Sequence, residues 1–243
     1  MTKLSINLNK FALVRNARGS NIPNLINIAS QCIHAGANGI TVHPRPDARH
    51  ITYQDVVDLS KLIARYPNVE FNVEGYPTSS FIKLIQATLP DQVTLVPDKP
   101  EQLTSDHGWQ LDVNQNFLTK VLLDLKSHAR VSLFVDPNAK HLEIAQHIQA
   151  DSIELYTEDY ATAYSAKYKV SEIIDSYAQT ANVAASLDLS VNAGHDLNLR
   201  NLGHFLNNVP HIQEVSIGHA LVSEAWTYGL ASTIRQYLAI LAR

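Results

Sequence analysis

Sulfur is nearly absent from this chain: of 243 residues one is cysteine, Cys32, and one is methionine, Met1. A lone thiol excludes any disulfide within the chain and fits a reducing compartment. A basic excess is missing too. The 19 Lys and Arg stand against 23 Asp and Glu, for a formal net charge of -4, and that balance lacks the cationic face that nucleic-acid binders present. No apolar run approaches the ~18 residues of a membrane span. The segment Met1 to Asn7 also lacks the continuous apolar stretch of a secretory signal. The expectation is a cytoplasmic protein with neither a nucleic-acid nor a membrane partner. Because no Pro/Gly/Ser-rich linker divides the chain, a single domain over residues 1–243 is expected, and 45% hydrophobic residues suffice for a sizeable core.

What the chain does have is a strand-helix alternation from end to end. Short β-branched runs predict strands at Leu4–Leu8, Gly39–His43, Val69–Val73, Gln92–Leu95, Arg130–Phe134, Ser152–Tyr156, Asp188–Asn192 and Glu214–Ile217. Helical spacing puts Leu25, Ile28, Ala29, Cys32 and Ile33 on one face, and Leu142, Ala145 and Ile148 on another. Turn chemistry marks boundaries: Thr52 to Asp55 reads as a helix cap, Asp136-Pro137 as the start of the fifth helix, and Ala35-Gly36-Ala37 as the end of the first. Eight such units close a (β/α)8 TIM barrel, and an open doubly wound sheet is the runner-up. Two segments, Pro97–Gln115 and Thr157–Val170, are longer than a simple crossover needs and are expected as loops over the active site.

The barrel reading turns strand ends into a candidate site. His43 and Arg45 follow the second strand, with Arg49 and His50 close behind, and a planar guanidinium makes two charge-assisted hydrogen bonds to a phosphate. Asn7 and Asn9 fall at the first strand end, Asp98 and Lys99 at the fourth, and Asp136 at the fifth. Glu154 lies on the sixth strand, while His195 and His219 end the seventh and eighth. In Asn192-Ala193-Gly194-His195 and Ile217-Gly218-His219, glycine allows backbone to approach an anion, as the last two loops of this fold often do. Glu70, in an otherwise apolar strand, is expected to point into the barrel or its mouth with a raised pKa suited to proton transfer; an ion pair with an interior lysine or arginine is the alternative. Metal is not expected, since there is no His-x-His pair and arginines flank His43.

Arg15 to Gly19, Gly39 to Thr52, Leu95-Val96-Pro97, Val131 to Asp136, Val191 to His195 and Ile217 to Ala220 together resemble the pyridoxine 5′-phosphate synthase family of vitamin B6 biosynthesis, over essentially the whole chain. The resemblance implies a (β/α)8 TIM barrel with extra helices, condensation of 1-deoxy-D-xylulose 5-phosphate with 3-amino-2-oxopropyl phosphate, no cofactor or metal, and a homo-oligomer, an octamer. It assigns general base roles to His43 and Glu70 and a general acid role to His195. Arg45, His50 and Thr104 would hold the sugar phosphate, and Asn7, Arg18, Gly218 and His219 the aminoketone phosphate. The chain departs from the family pattern at Asn9-Lys10, where Asp-His is usual, at Asp196, where glycine is usual, and at Thr157-Glu158-Asp159, where Thr-Gly is usual. Asn9, Lys10, Glu154 and Asp196 are therefore counted with the substrate-binding candidates. A paralogous sugar-phosphate aldolase or isomerase and a non-catalytic phosphate-binding barrel are the competing readings.

Overall fold

The computed structural model describes residues 1–98, 102 and 105–242. Thr104 and Lys99 lie outside the described residues. The strands are β1 (Lys3–Asn7), β2 (Gly39–Val42), β3 (Glu70–Gly75), β4 (Gln92–Leu95), β5 (Arg130–Val135), β6 (Ser152–Leu155), β7 (Ser190–Ala193) and β8 (Ile212–Ile217). Every strand pairs in parallel with its chain neighbours, and β8 returns to β1 to close the barrel. Around it run α1 (Asn9–Asn16), α2 (Leu25–His34), α3 (Tyr53–Ile63), α4 (Ser79–Thr88), α5 (Leu111–Leu125), α6 (Leu142–His147), α7 (Glu158–Ala166), α8 (Val170–Ser186), α9 (Leu202–Asn208), α10 (His219–Tyr228) and α11 (Leu230–Leu241). The helices beyond one per strand are α1, α7 and a second helix after β8.

Alternation along the strands explains the layers. On β1, Leu4 and Ile6 are fully buried toward the helices, as are Ile40 and Val42 on β2 and Val73 on β3, where each buried aliphatic side chain contributes roughly 1.5–3 kcal/mol. The opposite set faces the barrel axis and is polar, where many barrels use bulky branched residues. Ser5 Oγ meets Thr41 Oγ1 at 2.7 Å, Thr94 donates to Asn72 Oδ1 at 3.1 Å, and Asn192 donates to Gln92 Oε1 at 3.4 Å.

The expected elements and the observed ones differ at instructive places. The chain reaches β7 at Ser190 rather than Asp188, because Asp188 takes a left-handed φ of 58° in the turn that ends α8. Asp136-Pro137 does not open a helix: the Asp136 carboxylate accepts the Gly108 N–H at 2.9 Å, and α6 starts only after His141. The segment expected as a loop over Thr157–Val170 is mostly the helix α7. The Thr52 cap is as read, a reciprocal capping box with Asp55, and Gly36 ends α2 with φ of 107°.

Candidate active site

The carboxyl ends of the strands collect most of the expected residues. His43 follows β2 directly and is almost fully buried; its backbone N–H donates to Asn9 Oδ1 at 2.9 Å, which ties the β1 loop to the β2 loop. Asn7 fixes the same loop by accepting the Asn9 N–H at 3.0 Å. Burial first, then Arg45, His50 and Arg49, hold the His43 imidazole well below its usual pKa and favour the neutral ring. The acid beside it is Glu74, whose Oε2 lies 3.7 Å from His43 Nδ1, just beyond hydrogen-bond length. Burial, then the neighbouring carboxylates of Glu154 and Asp98, push the Glu74 carboxyl well up and favour its neutral form. Glu154, buried on β6, is pushed up to about 7 by burial against the opposing effects of Thr94 and His195.

Glu70, by contrast, is not in this site. It begins β3 opposite Gly39, the first residue of β2, and so lies at the amino-terminal end of the barrel. There it accepts from Lys3 Nζ at 2.9 Å and Arg130 Nη2 at 3.0 Å. Burial pushes its carboxyl up, but these two donors outweigh burial and hold it below the usual range. The expectation of a raised, mouth-facing Glu70 is therefore corrected: that position belongs to Glu74, two inward-facing steps further along the same strand. A cavity of about 750 Å³ at this amino-terminal end is lined by Lys3, Glu70, Arg130 and Glu214, and its cations are already paired.

Arg45 is buried and donates to Asp98 Oδ2 and, at 2.9 Å, to Gln102 O; Asp98 also accepts from Ser105 Oγ at 2.8 Å. Arg49 donates to the same Gln102 carbonyl at 3.0 Å. The two arginines therefore hold the loop after β4 against the loop after β2. His50 Nδ1 accepts the Ile51 N–H at 2.9 Å, which leaves Nε2 to carry the ring proton. Burial, then Arg45, Lys10 and Arg49, lower its pKa to about 4, so His50 is a neutral donor and not the second cation that the motif suggests.

The last two strand ends bring glycine close to functional groups. A Cβ on Gly194 would lie 2.6 Å from Glu154 Oε1, so no other residue fits there without displacing that carboxylate. His195 follows with a left-handed φ of 69° and packs its ring edge-on to Tyr156, centroids 5.0 Å apart. Its Nδ1 meets Asp196 Oδ2 at 2.8 Å. Donation from His195, reinforced by His219 and Lys10 against burial, holds the Asp196 carboxyl below its usual range. Lys10 and His219 therefore lie close to the His195 end of the mouth. Gly218 caps α10 and points this helix's N-terminus at the mouth, next to Asn7. Arg18 is exposed on the turn after α1, and it is Arg15 that reaches the β2 loop.

The family model for the pyridoxal phosphate biosynthesis protein PdxJ matches residues 4–243. The chain belongs to the PdxJ family. It is 50% identical over 238 residues to pyridoxine 5′-phosphate synthase of Bacteroides fragilis strain YCH46, with 98% of each chain covered. To the enzyme of that name from Cytophaga hutchinsonii it is 49% identical over 239 residues, again with 98% of each covered. Among solved structures, the tryptophan synthase α subunit of Legionella pneumophila strain Paris superposes with a TM-score of 0.65 at 12% identity, covering 99% of this chain and 93% of that one. Phosphoribosyl anthranilate isomerase of Thermus thermophilus gives 0.62 at 12% identity, with 99% and 98% covered. These distant likenesses show the barrel. In this PdxJ chain no group of three or more His, Cys, Asp or Glu able to hold a metal occurs among the described residues, and no described helix is long and apolar enough to cross a membrane.

Proposed function

We propose that this chain is a pyridoxine 5′-phosphate synthase, joining 1-deoxy-D-xylulose 5-phosphate to 3-amino-2-oxopropyl phosphate with release of one phosphate and two waters. The observation that carries the assignment of roles is the buried cluster at one barrel mouth, where His43 Nδ1 lies 3.7 Å from Glu74 Oε2 and burial favours the neutral form of both, with Glu154 and His195 at neighbouring strand ends. Closing a pyridine ring needs amine addition to a ketone, two dehydrations and aromatisation, each a proton transfer. A neutral imidazole accepts a proton, and a raised carboxyl both gives and takes one near neutral pH. His43 acts as base, Glu74 exchanges protons with it, and His195 is the acid at the opposite side.

Arg45 supplies the cationic grip on the sugar phosphate once the anion competes for it with Asp98, and His50 adds a neutral N–H. The aminoketone phosphate takes the α10 N-terminus at Gly218-His219, with Asn7 and Arg18 at its rim. Lys10, near both His50 and Asp196, is placed to donate to a substrate hydroxyl, and Asn9 fixes the His43 backbone. The protein works as a homo-oligomer, which would cover the exposed Leu13, Val14, Trp226 and Tyr228 on the packed helices α1 and α10.

Purified protein incubated with both substrates is expected to yield pyridoxine 5′-phosphate and phosphate in equal amounts. No product alongside tight aminoketone phosphate binding would mean a relative with a different first substrate. Borohydride treatment with the sugar phosphate is expected to leave the protein mass unchanged; a trapped adduct on lysine would instead indicate Schiff-base aldolase chemistry.

A further inference from the structure

Asp196 stands where the resembled family carries glycine, and every polar contact at this position converges on holding one side chain against His195. The residue's own backbone is anchored first: Asn198 Nδ2 and Asn201 Nδ2 both donate to the Asp196 carbonyl, at 3.3 and 3.1 Å. Those two asparagines brace each other, since Asn198 N–H donates to Asn201 Oδ1 at 2.8 Å and Asn201 N–H to Asn198 Oδ1 at 3.2 Å. Asn201 is buried, and the Tyr160 hydroxyl donates to its carbonyl at 2.8 Å. From that fixed base the Asp196 carboxylate reaches back to His195 Nδ1 at 2.8 Å, while the histidine backbone is kept in the left-handed region, a conformation that costs a β-carbon residue free energy and persists only when its surroundings hold it.

We propose that Asp196 is a positioning residue for His195: its carboxylate takes the Nδ1–H, so that Nε2 of the neutral ring accepts a proton and the resulting imidazolium returns it to substrate as the acid. This assignment rests on the reading of the site as a pyridoxine 5′-phosphate synthase with His195 as the acid. The chemistry is forced by the donor inventory. An ionised carboxylate only accepts, so the proton in the 2.8 Å contact belongs to the imidazole, and the tautomer is set. The pair is about one-quarter exposed on the histidine and two-fifths on the aspartate, partly shielded from water. The charges around it are Glu154 from β6, Tyr156 with its hydroxyl on Glu158 from the start of α7, Lys10 from α1 and His219 from α10. The hydrogen bond from His195, with Lys10 and His219 nearby, holds the Asp196 carboxyl below its usual range. An acid beside a phosphate site, puzzling as a substrate contact, is thus accounted for as a contact to the catalytic base or acid itself.

The test is a graded series read two ways. In the free protein, ¹⁵N chemical shifts of the neutral His195 ring are expected to show Nδ1–H in wild type and in Asp196→Asn, whose amide oxygen still accepts. In Asp196→Ala, which removes the carboxylate acceptor from Nδ1, they are expected to move toward Nε2–H. In turnover, Asp196→Ala is expected to lower kcat about ten- to a hundredfold with KM changed less than threefold, and Asp196→Glu to recover part of the loss. A wild-type tautomer in Asp196→Ala would overturn the proposal, as would a raised KM at unchanged kcat. If the wild type makes no pyridoxine 5′-phosphate, the functional reading fails while the tautomer measurement still decides whether Asp196 sets the ring; Asp196→Asn, nearly the same shape, guards against a folding artefact.

Discussion

Glu70 and Glu74 face the same barrel axis from one strand, yet four residues of β3 place them at opposite ends, one in an ion-pair network and the other beside His43. Glu74→Gln is therefore expected to lower kcat at least about a hundredfold with substrate affinity changed only a few-fold. Glu70→Gln is expected to leave kcat within about threefold and to lower stability by no more than about 1 kcal/mol, since its partners are half exposed. Steady-state kinetics and urea unfolding of the two variants separate the cases; equal loss of rate in both would sink the assignment. The period-two alternation that brings Glu70 into a sequence reading brings in Glu74 with equal force, because both point inward. What no local pattern carries is where the strand starts relative to the barrel rim. His43, Arg45 and His195 were legible as strand-end residues because they lie within three residues of the ends of β2 and β7. The neutrality of His50 was not, because it follows from burial and from the charges of Arg45, Lys10 and Arg49 that the fold brings around it.

Among the elements, the start of α3 is the joint that holds the anion-binding loop. Thr52 and Asp55 form the capping box, and Arg15 of α1 donates to both Asp55 oxygens, at 2.5 and 2.9 Å, and to the His50 carbonyl at 3.2 Å. Asn16 adds a donor to the same carbonyl at 2.8 Å. Thr52→Ala, which removes only the cap, is expected to cost about 1 kcal/mol in chemical denaturation. Asp55→Asn weakens the bidentate pair as well, so the loop bearing Arg45 and His50 loosens. It is expected to raise KM for the sugar phosphate several-fold with kcat within about twofold; a fall in kcat at constant KM would show that the loop positions the reacting groups instead. The cap was legible because its partners are three residues apart and no competitor claims them. Asp136 looked like an equally good helix opener, but a loop distant in sequence uses its carboxylate.

At the scale of the whole molecule, the outer face and the lumen each make a demand. Outside, Trp226 is 81% exposed on α10, close to α1 with its exposed Leu13 and Val14. Trp226→Lys is expected to shift the light-scattering mass to a smaller species while circular dichroism stays the same; an unchanged mass would remove that face from the assembly. Inside, the polar lumen stores carboxyls that prefer to be neutral. Glu214 is pushed up to about 8, from the usual 4.5, by burial first and by Glu70 and Glu154 next. The folded state thus holds a proton that the unfolded chain releases. Below pH 4.5 both states are protonated and nothing is lost; as pH rises from there toward 8 the native state is progressively penalised, by ~1.4 kcal/mol for each unit. Glu214→Gln keeps the shape and removes the titration. The thermal midpoint of that variant is expected to match wild type near pH 4.5 and to exceed it by several degrees at pH 8, with the gap widening steadily between. Glu74 and Glu154 have raised pKa values too, so the variant is expected to retain a residual decline of the same sign. A gap that stays constant across the window would mean that Glu214 is ionised in the folded barrel, and that the Lys3 and Arg130 charges, which oppose burial there, are the stronger influence.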